Sequence, residues 1–518
     1  MQRSVDAVVD VMKVPASGDA SLAVLPVGSP AVSRLEDCEL LIAGGGTGGV
    51  AAAIAAARAG RRVVLLEETD WLGGQLTAQG VSALDEHEHI ESCGGTRSYY
   101  QLRNAIRRHY GEPNPGHCWV TRLAFEPRVA VGVIERMLPP QVSIYRRTKT
   151  VAVTTVGDRI TEVVAVGLDD GRTVCFRPAL VIDATELGDL LPLSGAEHVI
   201  GAETIAETGE PQAQPLEPKP HCVQSFTYTF ACERRPRGER HVIAKPEKYE
   251  HYKAAQPYSL RIEVHAGEIY GETSGWLQYS LYEQLPGTKG GLWTYRRLVE
   301  AQNITMFNWP GNDYRDRSLL DCTPREAAQA LQDAKRVSLG FLYWLQQEAP
   351  ELKLRPDVMG TADGLSKHPY IREARRIKAK KTIVEQEVSE RYQRGARAAT
   401  FADSVGVGWY PIDIHRSGPD DVGASCRTKP FQIPLGALLP VRIANLIAGA
   451  KNIGTTHITN GCYRLHPVEW NVGEAAGALA AFALRERITP AAVRETRLSR
   501  FQGELKEQGV PLAWPTSL

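Results

Sequence analysis

The chain has 518 residues, 43% of them apolar, and its 60 Lys+Arg balance its 60 Asp+Glu. That length suits two or three globular domains, and the zero net charge excludes a global field drawing the chain to nucleic acid or an anionic membrane. There is no apolar run of about eighteen residues to cross a membrane, no continuous apolar stretch of a secretory signal in residues 1–36, and no Cys-x-x-Cys among the nine cysteines. A cytoplasmic protein with reduced thiols and without a metal, membrane or nucleic-acid partner is expected.

Residues 1–36 read as an N-terminal extension. Residues 39–67 then spell a βαβ dinucleotide-binding unit, in which an apolar strand enters Gly44-x-Gly46-x-x-Gly49, an Ala-rich helix follows, and a second apolar strand ends at Glu67. Gly44 permits the tight turn, Gly46 lets backbone approach a pyrophosphate, and Gly49 lets the helix pack close to the sheet. The helix N-terminus offers N–H groups to phosphate. Glu67 stands 23 residues after Gly44, near the spacing at which a carboxylate accepts hydrogen bonds from an adenosine ribose, which disfavours NADP.

Next, Gly73-Gly74-Gln75 lets backbone pass close to a ligand, and residues 97–110 have helical spacing ahead of Pro113. From Val142 to Asp183, short β-rich runs broken at Gly157-Asp158 and Asp169-Asp170-Gly171 predict an antiparallel meander. It feeds a buried strand ending in Asp183-Ala184-Thr185, expected to rejoin the nucleotide-binding sheet. Pro211, Pro215, Pro218 and Pro220 mark a linker into a second domain. There Thr323-Pro324-Arg325-Glu326 starts a helix running to about Gln347. Residues 445–450 read as a buried strand, and Asn471 to Ala478 as the opening of a small-residue helix whose N-terminus can meet a cofactor.

Together these elements resemble FAD-dependent oxidoreductases of the glutathione-reductase-like fold, from about residue 37 to about 490. More narrowly the chain resembles a bacterial FAD-dependent oxidoreductase family through Asn308-Trp309-Pro310-Gly311-Asn312-Asp313-Tyr314, Arg372-Glu373-Ala374-Arg375-Arg376-Ile377 and Tyr463-Arg464-Leu465-His466-Pro467. The resemblance implies an α/β fold, with a Rossmann-like FAD-binding domain over 37–205 that includes the meander at 142–178. An inserted α+β substrate or cap domain over 206–430, a return segment over 431–490 and a C-terminal tail over 491–518 complete it. It implies FAD contacts from Gly44, Gly46, Thr47, Gly49, Glu67, Glu68, Gly73, Gly74, Gln75, Asp183, Ala184 and Thr185. Gly473, Glu474, Ala475 and Ala476 are expected near the isoalloxazine, where a helix N-terminus stabilises the anionic reduced flavin. The family's third element usually reads Ala-Thr-Gly, whereas Glu186 stands here in place of the glycine.

Flavin hydride chemistry needs a group to take the hydroxyl or amine proton, and histidine is the default. His466, ahead of His457, is the first choice, with Tyr463 and Arg464 as neighbours; the alternative is a histidine that hydrogen-bonds loop backbone. Asp413-Ile414-His415 is the second candidate, because a carboxylate two residues from an imidazole orients it and raises its basicity. Arg372 and Arg376 share a face in a helix or a strand and would hold a substrate carboxylate or phosphate, while Lys378, Lys380 and Lys381 read as a solvated face. Asp85-Glu86-His87-Glu88-His89 is no defined zinc motif and reads as a solvated loop, with a covalent flavin tether as the remoter alternative. The expected activity is hydride transfer between a CH–OH or CH–NH group of a small polar molecule and FAD. Reduction of an activated C=C bond and a flavin-binding role in nucleic-acid modification are the alternatives.

Overall fold

The computed structural model describes residues 1–28, 33–264, 275–418 and 424–517. Strand β1 (Arg34–Ala43), helix α1 (Thr47–Arg58) and strand β2 (Val63–Leu66) form the βαβ unit, with β3 (Val142–Tyr145) beside β2. The meander follows as β4 (Thr148–Val156), β5 (Arg159–Gly167) and β6 (Thr173–Asp183), its first turn at Gly157-Asp158 as the sequence predicts. Strand β6 joins the two halves of the eight-stranded sheet. Its first residues pair antiparallel with β5, its last three pair parallel with Leu446–Ala448, and β1 runs parallel along its other side.

Register determines where the site lies. Ala43 is level with Leu66 and with Asp183, and Asp183 with Ala448. The residues after each strand therefore leave the sheet at one edge: Gly44, Glu67, Ala184 and Gly449. Crevices beyond the carboxyl ends of parallel strands are where such sheets bind ligands.

A second core surrounds a four-stranded sheet of β7 (Phe230–Arg234), β8 (Arg297–Val299), β9 (Ile304–Phe307) and β10 (Leu352–Leu354), in the order β8-β9-β7-β10. Helix α2 (Pro324–Leu345) packs there through Ala328, Leu331, Ala334, Val337, Phe341 and Leu345, three or four residues apart along one face. Its predicted start is present as a capping box, with Thr323 accepting the Glu326 N–H and Glu326 reaching back. The chain has returned to the first core by Ile377, and Ile383, Val405, Ile412 and Phe431 are buried in it. That return is earlier than the boundary at 430 expected from the sequence. The tail also packs there, through Phe501, Leu505 and Leu512.

The extension is part of the fold. Gln2–Ser4 pairs antiparallel with β4, and Lys335 of α2 donates to the Val14 carbonyl at 2.9 Å. Among the described residues, no helix is long and apolar enough to cross a membrane.

Helix α3 (His466–Glu486) begins five residues before the predicted Asn471. The earlier signal is Pro467, which has no N–H to lose in a first turn. Gly473 thus lies about two turns inside the helix, where a Cβ would stand 2.0 Å from the Gly48 carbonyl oxygen of α1; at Gly477 it would stand 2.1 Å from that of Ala52. The small residues let two helices pack backbone to backbone.

Candidate functional site

The glycine loop crosses the sheet edge at close quarters. Gly44 has φ +95°, and a Cβ there would sit 2.2 Å from the Ala184 carbonyl oxygen; at Gly49 it would sit 1.8 Å from that of Gly44. Helix α1 starts on Gly46, which gives no side-chain cap, and Thr47 Oγ1 ties that start to the Gly73 carbonyl at 2.9 Å. Gly44, Gly46, Glu67, Glu68, Gly74, Lys149, Ala184, Thr185 and Glu186 line a common crevice. The structure thus brings together most of the expected nucleotide contacts.

The two acids after β2 differ. Glu67 folds onto its own loop, accepting N–H groups of Gly45 at 2.9 Å and Thr69 at 2.8 Å, and burial pushes its carboxyl up to about 7. Glu68 is half-buried, which works against its charge, yet the Lys149 ammonium 2.6 Å away and the His368 imidazole hold it well below the carboxylate range. Asp183 turns inward to the Thr185 N–H and hydroxyl and the Leu190 N–H, and burial raises it to about 7. It shapes the turn that presents Ala184 and Thr185.

Glu186 explains the departure from the glycine pattern. One carboxylate oxygen pairs with Lys451, and the other is buried without a hydrogen-bond partner. That second oxygen stands 2.6 Å from a Cβ placed on Gly46 and 2.8 Å from one placed on Gly74. An unpartnered carboxyl oxygen therefore fills the space before the uncapped N-terminus of α1, as a phosphate oxygen would. Further along, Gln75 Oε1, Gln79 Nε2 and Glu469 Oε1 are buried polar atoms without partners, a donor and acceptor set suited to the amide-like edge of a flavin. The glycine cradle and these orphaned polar atoms fit a bound FAD.

Several expected residues serve the scaffold instead. Gly473, Ala475 and Ala476 are buried inside α3, not at its N-terminus, and the Glu474 carboxylate accepts the Ser98 hydroxyl. His466 is fully buried, its Nδ1 accepting the Asp85 N–H at 3.0 Å and its Nε2 donating to the Val81 carbonyl at 2.9 Å. Burial lowers it to about 4, and neither ring nitrogen is left for a substrate. Tyr463 stacks on Phe431 and donates to the Gln432 carbonyl at 2.7 Å. Arg376 is buried against Glu373, Glu203 and the Gly201 carbonyl, and His457 against Glu373. The segment is irregular before Arg376, so Arg372 and Arg376 reach different acids instead of sharing a ligand.

Arg372 leads to the second constellation. It donates to Asp313 at 3.0 Å, Asn308 at 3.2 Å and the Thr227 hydroxyl at 2.9 Å. The Pro310-Gly311 turn, closed by Asn312 on the Trp309 N–H at 2.8 Å, places Asp313 there. Asp313 meets His415 Nδ1 at 2.7 Å, and His415 Nε2 lies 3.3 Å from Asp413. Asp413 meets Arg464 at 3.1 Å, and Arg464 donates to the Tyr370 hydroxyl at 2.8 Å. Burial opposes charge in both aspartates, yet Arg372 and His415 hold Asp313, and His415 and Arg464 hold Asp413, well below the carboxylate range. Arg464 is two residues before α3, and its carbonyl accepts from Gln75 at 3.0 Å, so the network adjoins the Gly73-Gly74-Gln75 segment.

Sequence reasoning paired Asp413 with His415 but missed Asp313 and Tyr370 as partners, and Lys451 and Glu469 at the crevice. The strings Asn308–Tyr314 and Tyr463–Pro467 were the available signals. The loop 85–89 is solvated only at Glu88 and in part at His89: Asp85 pairs with Arg296 at 2.8 Å, Glu86 with Arg103 at 2.9 Å, and His87 lies between Trp409 and Trp514. Tryptophan and arginine partners cover its first three residues.

A family model described as FAD dependent oxidoreductase matches residues 39–505. No curated protein sequence matches the chain. Among solved structures, the chain is similar to L-proline dehydrogenase from P. horikoshii, with 17% identity over 33% of this chain and 24% of that one and a TM-score of 0.19. It is also similar to the OxyS anhydrotetracycline hydroxylase from Streptomyces rimosus, with 14% identity over 40% of each chain and a TM-score of 0.27, and to THI4 from Thermovibrio ammonificans, with 16% identity over 32% of this chain and 67% of that one and a TM-score of 0.22. The chain thus spans about a quarter of the dehydrogenase and two fifths of the hydroxylase. With the glycine loop, the ordered sheet edge and the family match in agreement, the chain belongs to the FAD dependent oxidoreductase family and is an enzyme with FAD as its cofactor.

Proposed function

We propose that the enzyme removes a hydride from a carbon bearing a hydroxyl or amine in a small polar molecule, with His415 receiving the proton. The supporting observation is exposure: the Asp413 and His415 side chains keep 35% and 19%, while Asp313, Arg372 and Arg464 keep 1 to 2%. The network thus has a buried, charge-balanced base and an open tip. When bound, FAD supplies the two-electron acceptor. Asp313 accepts from His415 Nδ1 and fixes the ring, and the substrate hydroxyl or amine proton passes to Nε2, which stands beside Asp413 at the exposed tip of the network. Asp413 beside Nε2 stabilises the imidazolium that forms, and Arg372 and Arg464 keep both carboxylates ionised. The substrate leaves as a carbonyl or imine, having lost one hydride and one proton. The pool of small alcohols and amines that bind is found by mixing them anaerobically with the yellow enzyme. Bleaching of the flavin without NAD(P)H supports the reading, whereas bleaching only by an external donor, reversed by an activated alkene, contradicts it.

A further inference from the structure

We propose that residues 1–14 are part of the cofactor site and form the outer wall of the pocket for the adenosine half of FAD. The inference uses the family's cofactor and is independent of the hydride reading. A cavity of about 660 Å³, within the roughly 300–1,000 Å³ of small-molecule sites, opens from the nucleotide crevice. Glu68, Lys149, Thr150, Asp189 and His368 line both spaces, so the cavity continues the crevice on the side of Glu68. Its far wall is the extension, through Val5, Val8 and Val11, facing Leu187, Leu193 and Leu331. Val8 and Val11 are buried, at 5% and 4% exposure. A slot walled by aliphatic side chains and rimmed by ionised Glu68 and Lys149 suits a flat heteroaromatic base with apolar faces and a polar edge.

The wall is anchored to the site as well as to the fold. The Val5 N–H donates to the Val151 carbonyl at 2.9 Å. Asp10 is fully buried and holds Arg147, which donates in turn to the Glu68 carbonyl at 2.9 Å. The extension therefore closes the pocket and also fixes the backbone of the acid at its rim.

The test compares ligands that carry the adenosine half with one that does not. In the Val8→Trp variant the new ring fills the slot, and the affinity for FAD, followed by flavin fluorescence on apoprotein, is expected to fall at least tenfold while that for FMN is unchanged. Equal affinity for FAD in folded variant and parent, or equal weakening of FAD and FMN, overturns the proposal. Because Val8→Trp can fail to fold, Val8→Cys gives a second measurement: alkylation at that position, read by peptide mass mapping, is expected to slow at least tenfold with saturating FAD or ADP and not with FMN. A rate indifferent to FAD and ADP overturns the proposal.

Discussion

His415 and His466 show how one residue type serves two ends. His466 spends both ring nitrogens on backbone and is held neutral by burial, down to about 4. A histidine lowered in the folded state leaves the unfolded chain binding more protons between pH 4 and 6.5, so this site's stabilisation is complete above 6.5 and is lost as pH falls. The unfolding free energy from urea titrations is therefore expected to fall on acidification across that window, by up to about 3 kcal/mol at this site, and His466→Asn should flatten the slope; an unchanged slope would remove the assignment. His415 has carboxylates on both nitrogens and an accessible edge. His415→Asn is expected to keep its FAD, read as the visible spectrum, while substrate-driven bleaching slows by about 10²–10⁴. The Asp413–His415 pairing was legible because two-residue spacing sets both side chains on one face of a strand. Asp313 was not, since it is 102 residues away in sequence and arrives only through the second domain.

Among elements, α1 was legible in full because its glycines, its alanines and its flanking strands all point the same way. Helix α3 was legible as a helix but misplaced at its start. Its Gly473-to-Ala476 run reads equally as a cofactor contact or as a close helix crossing, and only the partner decides. The partner is α1, and the distinction has a measurable consequence. Gly473→Ala sets a Cβ 2.0 Å from the Gly48 carbonyl oxygen, an overpacking expected to cost about 1–3 kcal/mol. Gly503→Ala in the helix Leu498–Gln508 meets nothing within 4 Å and should instead stabilise by about 0.5–1 kcal/mol. Chemical denaturation of both variants distinguishes crowding from helix propensity, and equal effects would contradict the close crossing.

Over the whole molecule, the order of α/β unit, meander and returning strand followed from punctuation and periodicity along the chain, while the four strands of the second core were not legible there. The role of the extension did not follow either, because a segment mixing Val, Asp, Gly and Pro has no period, and its place depends on β4, Arg147 and α2. Likewise Glu186 could be seen to break a pattern, while its position before α1 depends on Lys451, 265 residues later. The glycine loop, Glu67 and Thr185 converge on one edge of the sheet, around the crevice expected to take the dinucleotide. The visible spectrum of the purified, folded protein, with the chromophore identified after denaturation, tests that convergence most directly. The expected result is the absorbance of oxidised flavin and recovery of FAD. Folded, colourless protein that takes up no added FAD would contradict it.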